Sequence, residues 1–282
     1  MTETITYIKD SLRDLYPPSE VSSLVRLIME RVCNIQPHHF LFCKDKELPE
    51  SEKKRIHEIV ERLKQMEPIQ YILGTADFYS LQFEVNPSVL IPRPETEELA
   101  EQVILDNADK KIKILDIGTG SGCIAVTLRK HLKKASVIAM DISAEALETA
   151  RRNAKRNNTT VTFIQTDILD PEKAEMDIPF ILDVIVSNPP YIKEEEKKDM
   201  ERNVLDYEPH LALFVPDNDP LLYYWHIAHF GKKKLRRNGR LYLEINAACG
   251  SMVVEMLEEE GYKNIELIQD LSGRNRIVKA RK

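Results

Sequence analysis

The sequence has few cysteines and no long apolar run, and each absence excludes a class of protein. Its cysteines, Cys33, Cys43, Cys123 and Cys249, are scattered without C-x-x-C spacing, so neither a zinc site nor a disulfide framework is expected. No apolar stretch approaches the roughly 20 residues of a membrane-spanning helix. The N-terminus lacks the basic region and apolar core of a signal peptide. We therefore expect a reduced, cytoplasmic protein that makes no membrane contact.

Strong positive charge is also missing. The formal net charge is −6 at pH 7, which argues against a nucleic-acid backbone as the main partner. The basic run 232–237 is interpreted as the C-terminal end of a helix, where cations complement the helix dipole. His226 and His229 are three residues apart on a predicted helix, but no third ligand accompanies them, so no metal site is expected.

A glycine-rich segment follows a predicted strand at residues 113–117, and it lacks the two commonest phosphate-binding patterns. Gly118, Gly120 and Gly122 are spaced G-x-G-x-G, and Cys123 stands where a dinucleotide fingerprint requires its third glycine. No Gly-Lys-Ser/Thr follows, so the segment is not a P-loop. Glycines at alternate positions nevertheless allow the backbone to pass close beneath a ligand.

Acidic residues mark the ends of three predicted strands. Asp116 precedes the glycine turn, where a carboxylate disfavours a pyrophosphate but favours a cationic amino-acid group. Asp141 ends the next apolar run, at the place where a carboxylate binds a ribose diol in a nucleotide crevice. Asp167 ends the strand after that. This pattern predicts a pocket for a positively charged adenosine derivative, and S-adenosylmethionine is the obvious candidate.

A tetrad, Asn188-Pro189-Pro190-Tyr191, follows a predicted buried strand at residues 183–187. The Asn188 amide oxygen and the Pro189 carbonyl can both accept hydrogen bonds from one NH2 group. Tyr191 offers a flat face to the group that carries this nitrogen. The alternative interpretation is a rigid turn in which Asn188 caps its own backbone. The glycine turn and the strand-end acids upstream favour a site that acts on an amide or an exocyclic amine.

The chain as a whole is predicted to have three parts. Helical spacing of apolar residues indicates a small helical bundle over residues 1–73, and residues 74–93 are interpreted as a β-hairpin linker. Strands and helices alternate over residues 94–282, which indicates an α/β domain with a parallel, doubly wound sheet. The last two strands, at 264–269 and 276–279, are joined by a short loop and are expected to pair antiparallel.

At this point the sequence resembles a known family, the release-factor glutamine N5-methyltransferases (PrmC or HemK family) of the class I S-adenosylmethionine-dependent methyltransferases. The resemblance extends over essentially the whole chain. Besides the glycine turn, the acids and the tetrad, it is carried by Pro68–Gly74, Val89–Glu97, Glu208-Pro209 and Leu271–Arg276. The segment Pro-Arg-Pro-Glu-Thr-Glu within 89–97 is more specific than the tetrad, which adenine-N6 DNA methyltransferases share.

The resemblance implies a seven-stranded, mostly parallel, Rossmann-like sheet and an N-terminal helical domain that docks the substrate. It implies methyl transfer from S-adenosylmethionine to the side-chain amide nitrogen of the glutamine in the Gly-Gly-Gln motif of bacterial class I peptide-chain release factors. The enzyme would thus modify a protein of translation termination. A monomer without direct nucleic-acid contact is expected.

The predicted site residues fall into two overlapping sets. The cofactor-binding residues are Asp116, Gly118, Thr119, Gly120, Ser121, Gly122, Asp141, Asp167, Ile168 and Asn188. The substrate-binding residues are Asn188, Pro189, Pro190 and Tyr191, of which Asn188, Pro189 and Tyr191 are also the predicted catalytic residues. Many relatives carry an aromatic beside the adenine where this chain has Ile168, an aliphatic that covers the ring face without stacking.

Two other classes of function remain open at this point. An adenine-N6 nucleic-acid methyltransferase would flip its base and stack it on Tyr191, but the net negative charge counts against it. A catalytically silent module would use the cofactor only structurally. The presence of Asn188, Tyr191 and Asp116 counts against that function.

Overall fold

The computed structural model describes residues 1–35 and 47–282, and these residues form two compact units. Residues 1–74 and 201–207 make up the N-terminal unit, and residues 75–200 and 208–282 make up the sheet unit. The sequence did not indicate that residues 201–207 join the N-terminal helices.

Helices and strands alternate through most of the chain. The helices are α1 (Thr2–Leu12), α2 (Pro18–Cys33), α3 (Glu50–Lys64), α4 (Ile69–Leu73), α5 (Pro94–Asn107), α6 (Cys123–His131), α7 (Ala144–Arg156), α8 (Pro171–Asp177), α9 (Arg202–Leu205), α10 (Leu222–Lys234) and α11 (Gly250–Glu259). The strands are β1 (Thr75–Phe78), β2 (Leu81–Glu84), β3 (Lys113–Ile117), β4 (Ser136–Asp141), β5 (Thr162–Gln165), β6 (Leu182–Ser187), β7 (Ile192–Lys193), β8 (Phe214–Val215), β9 (Leu235–Glu244), β10 (Lys263–Gln269) and β11 (Asn275–Arg281).

The N-terminal unit has its own apolar core. Ile8 and Leu12 are one helical turn apart on α1, and Ile56 and Ile59 share a face of α3, so each pair points the same way. All four are fully buried with Ile28 of α2. Because this core is contributed by residues of the unit itself, the unit does not depend on the sheet for a hydrophobic interior.

The sheet unit is built on a mostly parallel sheet. Within the described residues this sheet has seven strands in the order β10-β11-β9-β6-β3-β4-β5. Strands β9, β6, β3, β4 and β5 pair in parallel, whereas β11 is antiparallel to both β9 and β10. The predicted doubly wound sheet with an antiparallel pair at its end is confirmed.

Successive residues of the central strands face opposite sides of the sheet, and both sides are covered. Leu115 and Ile185 belong to the core on the side of α10 and α11. Their neighbours Ile114, Val184 and Val186 belong to the core on the side of α5 and α6. This explains why β3 and β6 read as continuous apolar runs, since a strand buried on both faces has no polar side.

The order of the strands places a switch point at the centre of the sheet. From β3 the chain continues outward through β4 and β5, and it then returns to the other side of β3 as β6. Open α/β sheets bind ligands beyond the carboxyl ends of the strands at such a point. The residues that follow β3, β4, β5 and β6 therefore converge on one edge.

Two local features differ from the sequence expectations. Helix α10 ends at Lys234 and β9 begins at Leu235, so Arg236 and Arg237 belong to a strand rather than to the predicted helix end. The hairpin strands β1 and β2 pair antiparallel, but residues 85–93 of the predicted linker contain no strand. Cys123 and Cys249 are buried free thiols, Cys33 is also buried, and Cys43 lies outside the described residues.

The tight contact between α10 and Tyr262 gives a test of the packing. A Cβ on Gly231 would lie 2.3 Å from the Tyr262 hydroxyl, which donates to the Ala228 carbonyl at 2.8 Å. Gly231→Ala should therefore lower the free energy of unfolding by about 1–2 kcal/mol, because overpacking outweighs the gain in helix propensity. Chemical denaturation measures this change.

Tyr262→Phe supplies the matched control, since it removes the atom that the new methyl group would meet. The double variant should lose less stability than the sum of the two single variants. Strict additivity would show that the hydroxyl is not the source of the strain.

Candidate active site

A cavity of about 450 Å³ lies at the carboxyl edge of the sheet. Eight of the predicted site residues line it, namely Gly118, Gly120, Asp141, Asp167, Ile168, Asn188, Pro189 and Pro190. They come from the ends of four different strands, so the switch point brings together residues that are up to 72 positions apart in the sequence. Further lining comes from Leu90, Thr166, Pro209, Leu211 and Tyr223, among others.

Other predicted residues lie outside this lining. Asp116, which precedes the glycine turn, and Thr119 and Ser121 within it are all buried. The Asn153 side chain of α7 donates to the Ser121 carbonyl at 2.9 Å and accepts from the Glu84 amide, so it joins the turn to the hairpin. At Gly122 a Cβ would lie 3.0 Å from the Cβ of Ala150, so this glycine permits close packing of the turn against α7.

The glycine turn offers an open backbone surface to the cavity. Gly118 and Gly120 have φ values of +69° and +53°, a region that residues with a side chain rarely adopt. A Cβ at either position would have no heavy atom within 4 Å, so it would project into open space. A ligand can therefore approach the backbone there more closely than side chains would permit.

Asp116 organises the turn from below. Its Oδ2 accepts from the Thr119 hydroxyl at 2.6 Å and from the Ala125 amide at 3.2 Å, which ties β3 to the turn and to α6. Its Oδ1 is buried without a hydrogen-bond partner among the described residues. Burial raises the pKa of Asp116 to about 7, against the opposing effect of these hydrogen bonds. Its predicted direct contact with a ligand stays a prediction.

Asp141 lines the cavity and also holds the surrounding backbone in place. One oxygen accepts from the Gly120 amide at 2.8 Å, and the other accepts from the Ser143 amide at 3.0 Å. Burial raises the pKa of Asp141, while hydrogen bonds from backbone amides oppose this effect. Because a carboxylate has about four acceptor positions, these two bonds leave others for a ligand. On the next strand, Asp167 accepts from the Leu169 amide at 2.8 Å.

Three residues of the tetrad, Asn188, Pro189 and Pro190, form one wall of the cavity. The Asn188 Nδ2 donates to the Thr96 Oγ1 at 3.1 Å, so the amide oxygen is the end that remains to accept from a ligand. The Tyr191 ring is half-buried outside the lining, and its hydroxyl donates to Glu244 Oε1 at 3.3 Å. Burial and the Glu244 carboxylate raise the pKa of Tyr191, so it stays protonated at neutral pH.

Sequence reasoning missed several residues that hold this wall. Thr96 and Glu244 connect to Asn188 and Tyr191 through hydrogen bonds. Signals for both were present: Thr96 lies within the Pro-Arg-Pro-Glu-Thr-Glu segment, and Glu244, like Asp141, is an acid that ends an apolar strand. The functional importance of such a position depends on which strands are neighbours, and the sequence does not show that directly.

A second missed group holds the loop that contains Pro209. Glu208 is buried, and it accepts from the Arg93 guanidinium at 2.6 Å and from the Ile91 amide at 3.1 Å. The two partners span the Ile-Pro-Arg sequence that precedes α5. A buried carboxylate that has lost its water is costly unless it is paired, so this ion pair fixes the loop against that segment.

Solved structures define the class of protein. A methyltransferase from Pyrococcus furiosus superposes with a TM-score of 0.54 at 18% identity, covering 82% of this chain and 98% of the other. The T. thermophilus 16S rRNA N2 G1207 methyltransferase, solved with AdoMet and guanosine, superposes with a TM-score of 0.52 at 16% identity, covering 74% of this chain and 49% of the other. The fold is that of the Rossmann-like class I methyltransferases.

Sequence comparisons define the family within that class. The profile of the methyltransferase small domain matches residues 96–207, and that of the PrmC N-terminal domain matches residues 3–74. The release factor glutamine methyltransferase of Bacteroides thetaiotaomicron is 45% identical over 99% of both chains. The protein of the same name from Flavobacterium psychrophilum is 44% identical over 97% of this chain and 96% of the relative. The chain belongs to the release factor glutamine methyltransferase family, and it is an enzyme that uses S-adenosylmethionine.

In residues 1–35 and 47–282, no helix is long and apolar enough to cross a membrane. The same residues contain no group of three or more His, Cys, Asp or Glu side chains arranged to hold a metal ion. The His229 ring stacks on Trp225 and lies 3.7 Å from Glu260.

The position of Asp141 leads to a test of cofactor binding. If its carboxylate binds the ribose hydroxyls, Asp141→Ala should weaken S-adenosylmethionine binding at least tenfold, since charge-assisted hydrogen bonds contribute roughly 1.5–3 kcal/mol each. Asp141→Asn, which keeps the shape and removes the charge, should fall between that variant and the wild type. Isothermal titration calorimetry measures both constants.

Asp170→Asn is the control for this test. Asp170 caps α8 near the same edge but does not line the cavity, and Asn is as good a helix cap as Asp. Its affinity should equal that of the wild type. Unchanged binding in Asp141→Ala would remove Asp141 from the cofactor site.

Proposed function

We propose that this enzyme methylates the side-chain amide nitrogen of the glutamine in the Gly-Gly-Gln motif of bacterial class I peptide-chain release factors. The observation that carries the proposal is that Asn188 and Pro189 line the same cavity as Asp141 and Asp167. Two acceptors suited to an NH2 group thus share one cavity with the acids suited to an adenosine. The names of the relatives that match over nearly the full chain support a release-factor glutamine as the residue that receives the methyl group.

The cofactor fits the near side of the cavity in this proposal. The open backbone of residues 118–122 passes beneath the methionine moiety, and Asp141 binds the ribose hydroxyls. Asp167 accepts from the adenine amino group. Ile168, which lines the cavity, covers one face of the adenine ring without the stacking that an aromatic would add. Asp116 supports the turn and contributes negative charge beneath the cationic end of the ligand.

Asn188 and Pro189 compensate for the low reactivity of the substrate nitrogen. An amide nitrogen is a poor nucleophile because its lone pair is conjugated with the carbonyl group. The Asn188 oxygen and the Pro189 carbonyl accept hydrogen bonds from the two N–H groups of the substrate glutamine. These hydrogen bonds direct the nitrogen at the methyl group. Both oxygens also favour the positive charge that develops on the nitrogen. Tyr191 contributes by positioning the substrate glutamine rather than by transferring a proton.

The bond changes balance without a general base. The bound S-adenosylmethionine provides a methyl group on a sulfonium ion. The N–CH3 bond forms as the S–CH3 bond breaks, and the sulfur keeps the electron pair of the broken bond. The methylated nitrogen is then strongly acidic and loses its proton to water. The chain therefore needs well-placed acceptors, and it does not need a strong base.

The acceptor is identified by a direct comparison. Labelled S-adenosylmethionine is incubated with the enzyme and with intact release factor, a factor whose Gly-Gly-Gln glutamine is Ala, or DNA. We expect label only in the intact factor. Label in DNA would instead support an adenine-N6 methyltransferase, and label in the Ala variant would place the modification elsewhere on the factor.

Asn188 gives the sharpest test of the mechanism. Asn188→Ala should lower kcat by about 10²–10³, the usual effect of removing a group placed where charge develops. The dissociation constant of the cofactor should stay within a few-fold, because Asn188 lies at the methyl end of the cavity in this proposal. Asn188→Asp keeps an acceptor and should retain partial activity. Near-normal turnover in Asn188→Ala would contradict the mechanism.

We further propose that the N-terminal domain, residues 1–73, forms part of the docking surface for the release factor. Its self-contained apolar core supports this, since its helices need no contact with the sheet for their hydrophobic interior. In this proposal the enzyme works as a monomer in the cytoplasm without binding nucleic acid directly.

Hydrogen exchange on the full-length enzyme tests the docking surface. Addition of release factor should slow amide exchange within residues 1–73, because a bound partner excludes water and suppresses local opening. The factor with Ala in its Gly-Gly-Gln motif is the control, and it should give the same protection since docking is separate from catalysis. Protection confined to the sheet unit would show that the N-terminal domain does not dock the substrate.

A further inference from the structure

Glu244 is a buried carboxylate at the end of β9 that lies behind the cavity rather than in its lining. It is 1% exposed, and each of its oxygens has a partner. Oε2 accepts from the Thr96 hydroxyl at 2.6 Å, and Oε1 accepts from the Tyr191 hydroxyl at 3.3 Å. Since burial of a charge is costly, a carboxylate retained here calls for a functional explanation.

The hydrogen bonds from Glu244 run in a defined direction. An ionised carboxylate only accepts, so the single hydroxyl proton of Thr96 points toward Glu244. The Thr96 oxygen is then available as an acceptor, and it receives the Asn188 Nδ2 at 3.1 Å. This arrangement holds the amino end of the Asn188 amide away from the substrate and presents its oxygen instead.

We propose that Thr96 and Glu244 are positioning residues that fix the amide orientation of Asn188, and that this orientation requires Glu244 to be ionised. The inference rests on the proposed function, in which the Asn188 oxygen accepts from the substrate amide. Neither residue touches the reacting atoms. Thr96 bonds to Asn188 directly, and Glu244 acts on Asn188 through Thr96.

Protonation of Glu244 would remove the directionality. The new carboxyl proton can be donated to the Thr96 oxygen, and the Thr96 proton is then free to point at Asn188. A Thr96 hydroxyl that donates can bond to the amide oxygen of Asn188. The Asn188 amide group can then flip, so that its oxygen faces Thr96. Its NH2 would then face the NH2 of the substrate, and two donors cannot bond to each other.

The surroundings of Glu244 place this ionisation near neutral pH. Desolvation by burial raises the pKa of Glu244 to about 7, and Glu95 adds to the increase. The hydrogen bonds from Thr96 and Tyr191 and the attraction of Arg276 oppose it. The titratable and charged groups that face it come from five parts of the sheet unit: Glu95 (α5), Cys123 (α6), Tyr191 (after β6), Tyr224 (α10) and Arg276 (β11).

The direction of the pH effect follows from these facts. The carboxylate form presents the acceptor, so kcat for glutamine methylation should rise as pH increases through about 7. Below that value the protonated form predominates and the acceptor is lost in a growing fraction of molecules. This is an effect on kcat rather than on cofactor affinity, because Glu244 is not part of the lining around Asp141.

Thr96→Val and Thr96→Ser test the hydrogen-bond path. Val has the shape of Thr without the hydroxyl, so kcat should fall by on the order of tenfold, less than the loss expected for removal of Asn188 itself. Ser restores the hydroxyl and should recover most of the activity. The affinity for S-adenosylmethionine, measured by calorimetry, should stay within about twofold in both variants.

Glu244→Gln tests the role of ionisation. A glutamine has no proton to lose, so the rise of kcat between about pH 6 and 8 should be smaller in this variant than in the wild type. Any share of the rise that comes from Asp116, whose pKa is also about 7, is the same in both enzymes. Thr127→Val is the control for removing a buried hydroxyl: Thr127 is fully buried, and its Oγ1 has no hydrogen-bond partner in the described part of the chain. Its kcat and its pH profile should match those of the wild type.

Three results are decisive. Wild-type kcat in Thr96→Val would overturn the hydrogen-bond path, and a normal pH rise in Glu244→Gln would overturn the role of ionisation. If Glu244→Gln does not fold, as judged by thermal unfolding, the two Thr96 variants decide both points. Their kcat values test the hydrogen-bond path. Their pH profiles test the role of ionisation, because kcat should rise with pH in Thr96→Ser as in the wild type and should rise less in Thr96→Val. Failure of the wild-type enzyme to methylate the factor would instead refute the proposed function.

Discussion

Parallel pairing around β3 is the constraint on which the rest of the structure depends. Parallel strands require long crossovers, so consecutive strands are separated by helices that cover both faces of the sheet. Since β3 pairs in parallel with both β4 and β6, the loops that follow these strands leave the same edge. Asp141, Asp167 and the tetrad's Asn188, Pro189 and Pro190 meet there because of this pairing.

Buried carboxylates then set the finer geometry of that edge. Asp116 joins β3 to the glycine turn and α6, Glu208 ties its loop to the segment before α5, and Glu244 holds Thr96 and Tyr191. Each lies away from bulk water and is costly to bury, so its partners must be in place for the chain to fold. Asn188, which lines the cavity, is thus oriented by Thr96 and through it by Glu244, neither of which lines the cavity.

In the proposed reaction, the site positions the two reactants and supplies no reactive side chain of its own. The proposed reaction needs no nucleophilic side chain and no strong base, since both the electrophile and the nucleophile are supplied by ligands. The chain contributes placement and a few hydrogen-bond acceptors. Rigid supports for those acceptors therefore matter as much as the acceptors themselves.

The sequence by itself determined the alternation of strands and helices, the antiparallel final pair, the glycine turn and the family, because these depend on local periodicity and on contiguous motifs. Only the tertiary structure decided that Asp116 lies beneath the turn rather than at the cavity, and that Tyr191 turns its hydroxyl toward Glu244. It also brought Thr96 and Glu244, 148 positions apart, into one hydrogen bond. Such contacts depend on which strands become neighbours and on the side of the pleat that each residue occupies, and neither is encoded in any single segment.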